Sequence, residues 1–200
     1  LVLVEAGSSG LAVKAEPTMG VRATASGELL LEGVRVPVAN RLEHVSSFRH
    51  MAQVLGMGRY GVSWEAAGAA TAAFEYALKY AKEREQFGKP IAAFQLIQAK
   101  LVEMASEVTA MQAMCMQLAR LMTNMQVNEG ILSMAKYHNA RKARLVTSLA
   151  RETLGGNGIM IDNHIARLWT DAEVIYTYEG SNEINLLIVG RDLTGENAIV

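Results

Sequence analysis

The sequence predicts a mainly α chain: a C-terminal antiparallel four-helix bundle preceded by a partial β domain. Three observations carry this. Phe94, Ile97, Leu101, Met104, Val108, Met111, Cys115, Leu118 and Met122 recur three and four residues apart, the seam of a helix facing the middle of a bundle. The helical patterns from residue 47 onward are long and joined by short loops, as in an antiparallel bundle. Residues 1–40 instead show short apolar runs punctuated by Gly, Ser and Pro, the signature of strands and turns. The division falls near residue 44, giving a β part over 1–44 and a helical-bundle domain over 45–200.

In order, Leu1–Val4 is an apolar run closed by Gly7-Ser8-Ser9-Gly10, and the chain opens as if inside a strand, as the C-terminal part of a longer protein would. Val21–Ala25 and Glu28–Val36 read as strands flanking a Ser26-Gly27 hairpin signal, and Pro37 closes the second because it cannot donate to a ladder. The first helix spans about Ser47 to Glu85. Its middle is dense in alanine and carries Gly56, Gly58 and Gly61. Each interior glycine costs about 1 kcal/mol relative to alanine, so close approach of another backbone or of a ligand is expected there. Gly88-Lys89-Pro90 ends this helix, and a second starts near Ala93.

After a polar loop over Thr123–Asn128, a third helix spans Glu129–Leu154. Ala135, His138, Leu145 and Leu149 form its inner spacing, while Lys136, Arg141, Lys142 and Arg144 put charge on other faces. Gly155-Gly156-Asn157-Gly158 stops it with residues that tolerate positive φ. A short helix over Ile165–Asp171 and a last one over Ser181–Leu193 complete the bundle. His138 reads as a core or interface histidine, and Cys115 as an inert buried thiol.

Composition excludes several classes. With 19 basic and 20 acidic residues there is no electrostatic footprint for nucleic acid or an anionic membrane. One cysteine excludes an internal disulfide and a multi-cysteine metal cluster, and fits a reducing compartment. No apolar run approaches the ~20 residues that span a bilayer, so no membrane insertion is expected. No metal ligand set is seen.

The stretch that could carry chemistry is Tyr178-Glu179-Gly180-Ser181, a carboxylate on a tight turn ahead of a helix. Such an acid can take a proton from a ligand lying on the bare backbone at Gly180. It can equally be a solvated acid favoured by the helix dipole, and Ser181 can be an N-cap alone.

At this point the chain resembles the acyl-CoA dehydrogenase family. Arg84-Glu85-Gln86-Phe87-Gly88-Lys89-Pro90-Ile91 with Phe94-Gln95 and Gln98 is similar to its R-x-Q-F-G-x-P-I…F-Q…Q element. Leu154–Gly158 resembles its L-G-G-x-G element. Arg167 and Asp171 sit as in its R-L-x-R-D-A region, and Tyr178–Ser181 resembles its catalytic Y-E-G-T/S turn. Gly33–Pro37 with Asn40 resembles the V-P-x-x-N segment that leaves its β domain. Order and spacing together make the match specific. Arg59-Tyr60-Gly61, Thr177–Gly180 and the ending Gly190–Gly195 look closest to the glutaryl-CoA dehydrogenase branch.

The resemblance implies a three-part fold: an N-terminal helical domain, a middle β domain cut in half here, and this bundle. It implies FAD, a homotetramer built as a dimer of dimers, and an electron-transfer flavoprotein as acceptor. The compartment would be the cytoplasm of a bacterium or the mitochondrial matrix of a eukaryote. The activity implied is α,β-dehydrogenation of an acyl-CoA thioester by α-proton abstraction and hydride transfer to flavin N5, with glutaryl-CoA and decarboxylation as the specific case. By motif position Glu179 is the base, and a backbone amide at Tyr178–Gly180 would hydrogen-bond the thioester oxygen.

Arg84, Gln86 and Phe87 would contact FAD, including a neighbouring subunit's pyrophosphate and adenine side. Gly155 and Gly156 would admit the adenine end, and Ser181 would bond the flavin nucleotide or serve as a cap. Arg59 would lie at the acyl-CoA end of the site, or form a buried ion pair. Glu152 and Glu183 stand where the family has glutamine, and Gln or Asp, respectively. Gly56 replaces an Asp or Asn that meets the CoA chain, and Gly58 excludes the variant whose base precedes the arginine. Two other functions remain open: an acyl-CoA oxidase with the same base, and a non-catalytic helical assembly module.

Overall fold

The computed structural model describes residues 1–24 and 26–198, with the backbone alone for residues 48 and 49. Five helices make the bundle: α1 (Phe48–Glu83), α2 (Gln95–Thr123), α3 (Glu129–Thr153), α4 (His164–Thr177) and α5 (Asn182–Thr194). α3 is the central rod and packs on all four others. Asn128 caps it, its side chain accepting the Ile131 N–H at 2.8 Å.

The fourth rod of the bundle is broken into two helices. Trp169 Nε1 donates to Ser148 Oγ at 3.1 Å, and Arg144 pairs with Glu173 at 2.8 Å. So α4 runs along the C-terminal half of α3. Asn128 donates to Asp192 at 3.2 Å, which puts the end of α5 at the start of α3. The break is the turn Tyr178–Ser181.

The α2 seam is buried as its period requires: Met104, Val108, Met111, Cys115 and Leu118 all face the core. Small side chains, Ala66, Ala70, Ala73, Ala77 and Ala81, let α1 lie close to its partners. Burial pushes the Cys115 thiol above its ordinary range, only partly offset by Asn139, so its placement is that of an inert core residue. Between α1 and α2 a two-residue ladder, β3 (Glu85–Gln86) with β4 (Lys89–Pro90), turns over Phe87 and Gly88, both at positive φ.

The N-terminal part holds one hairpin, β1 (Leu11–Ala15) antiparallel to β2 (Gly27–Leu31), with Leu11 opposite Leu31 and Ala15 opposite Gly27. Residues 18–21 dock on α4. The Val21 N–H donates to Asp171 Oδ1 at 2.6 Å, and a Cβ on buried Gly20 would stand 2.6 Å from the Thr170 carbonyl carbon.

Several expectations are corrected. The first hairpin strand is Leu11–Ala15 and not Val21–Ala25. Val21 has φ +49° and spends its amide on Asp171, which removes it from any ladder; Ala25 lies outside the described residues. The strand expected over Glu28–Val36 stops at Leu31, ahead of Gly33 at φ +63°. Leu1–Val4 contributes only a bridge between Val2 and Arg41. α4 runs to Thr177 because Ala172 and Ile175 continue the buried stripe begun by Ile165 and Leu168.

On α3 the narrow seven-residue seam was wrong. The buried stripe is Leu132, Ala135, Lys136, Asn139, Ala140, Ala143, Val146, Thr147 and Ala150, because helices surround α3 on several sides. Lys136, read as a solvent-facing charge, is 0% exposed.

Candidate active site

The break between α4 and α5 carries the acid. Glu179 has φ +53° and Gly180 φ +83°, so the chain reverses within two residues in conformations that only glycine adopts freely. Ser181 then caps α5, its Oγ accepting the Ile184 N–H at 3.3 Å. Asn185, fully buried, donates to the carbonyls of Gly180 at 2.8 Å and Ser181 at 3.1 Å.

This turn aims the Glu179 carboxylate at α1, where it lies on the bare backbone of Gly58. A Cβ there would stand 2.6 Å from Glu179 Cδ and 2.9 Å from Oε1. The glycine therefore makes room for the acid, and a base carried at position 58 would claim the same volume. Glu179 Oε2 is buried without a hydrogen-bond partner. The Glu179 N–H meets no acceptor among the described residues.

Around the turn, Tyr178 is half-buried and its hydroxyl donates to Glu65 Oε2 in a very short contact. Burial first, then Glu65, pushes that phenol well above its ordinary range. Lys136 Nζ donates to the carbonyls of Tyr176 and Gly180, both at 2.9 Å. Burial lowers its amine to about 8, against the opposing pull of Glu183. Glu183 is held below its usual range by its own backbone N–H and by Tyr176 Oη at 3.1 Å. Arg59 is 5% exposed and shares Glu129 with Arg191, at 3.1 and 2.8 Å. Of the two readings open for Arg59, the structure has the buried ion pair, though its guanidinium also comes close to Gly180.

A second cluster lies at the other end of α3. Arg84, Gln86, Glu152, Gly155 and Gly156 line one cavity of ≈ 440 Å³ with Tyr80, Ile91 and Asn157. Arg84 is exposed and finds no carboxylate among the described residues. Cβ atoms added to Gly155 or Gly156 would meet nothing within 4 Å, so bare backbone faces open space. Glu152 is turned outward onto Lys100 at 2.8 Å, which lowers its carboxyl below the usual range. Phe87 does not join this wall; it is 92% exposed at the hairpin tip.

At 1.5 Å per residue along α3, Glu152 lies about 24 Å from Lys136 and the Glu179 turn. Ser181 and Glu183 thus belong to the first cluster, and Arg84, Gln86, Glu152, Gly155 and Gly156 to the second, with Phe87 in neither. Another cavity, of ≈ 600 Å³, opens beside Gly56, lined by Met57, Met122, Met125, Val127 and Leu132 with Gln53, Asn128 and Glu129. Among the described residues no three His, Cys, Asp or Glu side chains gather as a metal would need, and no helix is long and apolar enough to cross a membrane.

Sequence reasoning missed Lys136, Asn185 and Glu65. A signal existed for the first two: Ser133, Lys136 and Asn139 follow at three-residue spacing among small residues, and Asn182 and Asn185 interrupt an apolar helix.

A family model described as "Acyl-CoA dehydrogenase, C-terminal domain" matches residues 48–194. An acyl-CoA dehydrogenase of Bacillus subtilis (strain 168) is 39% identical over 96% of this chain and 52% of its own length. The caffeyl-CoA reductase-Etf complex subunit CarC of Acetobacterium woodii is 33% identical over 94% of this chain and 50% of its own. The crystal structure of a glutaryl-CoA dehydrogenase from Mycobacterium smegmatis in complex with FADH2 superposes with a TM-score of 0.96, at 30% identity, over 100% of this chain and 52% of that one. The chain spans about half the length of the curated relatives it matches.

Proposed function

The chain belongs to the acyl-CoA dehydrogenase family, and from that premise we propose that it carries the base and part of the FAD site of an enzyme that desaturates acyl-CoA thioesters between Cα and Cβ. The observation that carries the reading is the Glu179 carboxylate, with Oε2 buried, unpartnered and laid on Gly58. An α proton of a thioester is weakly acidic, so its base must be near, oriented and little solvated. Glu179 is fixed on a tight turn, has one carboxylate oxygen buried, and makes no salt bridge among the described residues. Its unused N–H can donate to the thioester oxygen and stabilise charge that develops there as the α proton leaves.

FAD fits the residues present. The unpaired Arg84 fork suits a pyrophosphate, and the open backbone of Gly155 and Gly156 admits a planar ring. When bound, FAD supplies the acceptor for the hydrogen and electron pair leaving Cβ. Because the two clusters are about 24 Å apart on one protomer, we assign Arg84, Gln86, Gly155 and Gly156 to a neighbour's cofactor, and Ser181 with Glu179 to the chain's own. A homotetramer of dimers provides that arrangement. The tip at Phe87, next to Gln86 of the second cluster, is exposed. The ≈ 600 Å³ cavity by Gly56, which Gln53, Asn128 and Glu129 also line, is offered as the path of the CoA arm.

Glutaryl-CoA, with decarboxylation, is the specific substrate we favour, on the likeness to a glutaryl-CoA dehydrogenase structure. An electron-transfer flavoprotein is the proposed acceptor, in keeping with the Etf-complex relative. That same relative, named a reductase, supports a second reading in which the chemistry runs backwards and Glu179, as the acid, returns the proton to Cα.

Glu179→Gln in the holoenzyme tests the proposal. FAD content should be unchanged, and turnover of acyl-CoA with an artificial acceptor should fall by about 10³-fold or more. Retained turnover would remove Glu179 from the chemistry. Wild-type turnover supported by oxygen alone would instead place the enzyme with the oxidases. Faster reduction of an enoyl-CoA than oxidation of its saturated partner would favour the second reading.

A further inference from the structure

We propose that Lys136 is a positioning residue for the proton-abstracting turn: its buried ammonium ties the end of α4 to the peptide after Glu179 and so sets where the carboxylate stands against Gly58. This rests on Glu179 being the base. Lys136 projects from the middle of α3 into the break between α4 and α5, and no part of it reaches solvent. Its two acceptors bracket the acid, Tyr176 O three residues before and Gly180 O one residue after, both at 2.9 Å.

The carbonyls ending a helix lack intrahelical partners and carry the negative end of its dipole. A cation there satisfies the end of α4 and holds the next peptide in register. Asn185 adds a second donor to Gly180 O from α5, at 2.8 Å. The carbonyl after the acid is thus gripped from α3 and α5 together. Glu179 sits at φ +53°, and its own carbonyl meets Asn185 Nδ2 from α5 at 3.4 Å, so the strained turn is held from outside.

A buried cation is a costly way to cap a helix, and a neutral donor would serve that purpose alone. The charged groups facing Lys136 are Glu183 from α5, Arg59 from α1 and Glu179 from the turn. Lys136 therefore acts on the place of the carboxylate, through the two carbonyls it holds on either side of it.

The test is Lys136→Met in the holoenzyme, which keeps most of the side-chain length and removes donor and charge. kcat should fall about 10²-fold, as expected for a base displaced by roughly 1 Å, with KM changed far less. Exchange of the α protons of an acyl-CoA with D2O, read by mass spectrometry, should slow in parallel.

A fall in kcat matched by an equal rise in KM, or by loss of bound FAD, would make Lys136 a plain helix cap and overturn the proposal, as would wild-type rates. If the methionine variant does not fold, Lys136→Gln, whose shorter amide cannot reach both carbonyls, should show the same fall in kcat with KM little changed. Failure of both to fold would likewise reduce Lys136 to a structural cation. Glu179→Gln measured alongside separates the two failures: if that variant turns over, the base is elsewhere, whereas an inactive Glu179→Gln with normal Lys136 variants leaves the base in place and removes only the lysine's role.

Discussion

Gly58→Ala should separate stability from activity with opposite signs. The added methyl would stand 2.6 Å from Glu179 Cδ, where carbon atoms need about 3.5 Å, so the carboxylate must retreat by about 1 Å. The atoms displaced are the far end of a flexible side chain, so yielding is cheap. Replacing glycine in a helix interior gains about 1 kcal/mol, and the variant should unfold at the same temperature as wild type or slightly higher. A base moved by 1 Å is another matter, and kcat should fall about 10²-fold. Gly68→Ala is the control: it is exposed on the same helix with nothing within 4 Å of the new Cβ, so stability should rise and kcat should stay. Thermal melts and steady-state turnover with an artificial acceptor read both quantities. Full activity in Gly58→Ala would refute the claim that the carboxylate works from its place on that glycine.

Two further outcomes concern stability. The Lys136 amine titrates near 8 in the fold and near 10.5 when free. Between those values the unfolded chain holds a proton that the folded chain has released, so stability rises with pH across that window. At about 1.4 kcal/mol for each pH unit the gain is about 3 kcal/mol; denaturant melts from pH 7.5 to 10.5 should show it in wild type and not in Lys136→Met, and parallel curves would contradict the assignment. Gly20→Ala should cost about 1–3 kcal/mol by overpacking, because its Cβ would press on the backbone of Thr170 and Asp171, which cannot yield as a side-chain tip can. An unchanged melting temperature would show that residues 18–21 do not dock on α4 in solution.

Much of the bundle was legible in the chain. The α2 seam followed from three-and-four spacing, and the ends of α1 and α3 from Gly-Lys-Pro and Gly-Gly-Asn-Gly punctuation. The second cluster was legible through its motifs, and Arg84, Gln86, Gly155 and Gly156 do meet around one cavity. Phe87 did not follow them, because a positive-φ turn points it outward. The β part was read less well. Val21 looked like a strand residue locally, but a single hydrogen bond to Asp171, distant in sequence, decided its backbone. Lys136 was misread for a related reason: charge predicts a solvent face only when one side of a helix is covered, and α3 is covered on several.

The sequence by itself determined which segments become helices, where they stop, and that an acid sits on a glycine turn ahead of a capped helix. These are local matters of period, φ and capping, written in residues a few positions apart. Only the tertiary structure decided that the fourth rod breaks at that acid, that its carboxylate rests on Gly58, and that Lys136 grips both sides of the turn. Those outcomes depend on how far desolvation is offset by partners from other helices, and no window along the chain contains that balance.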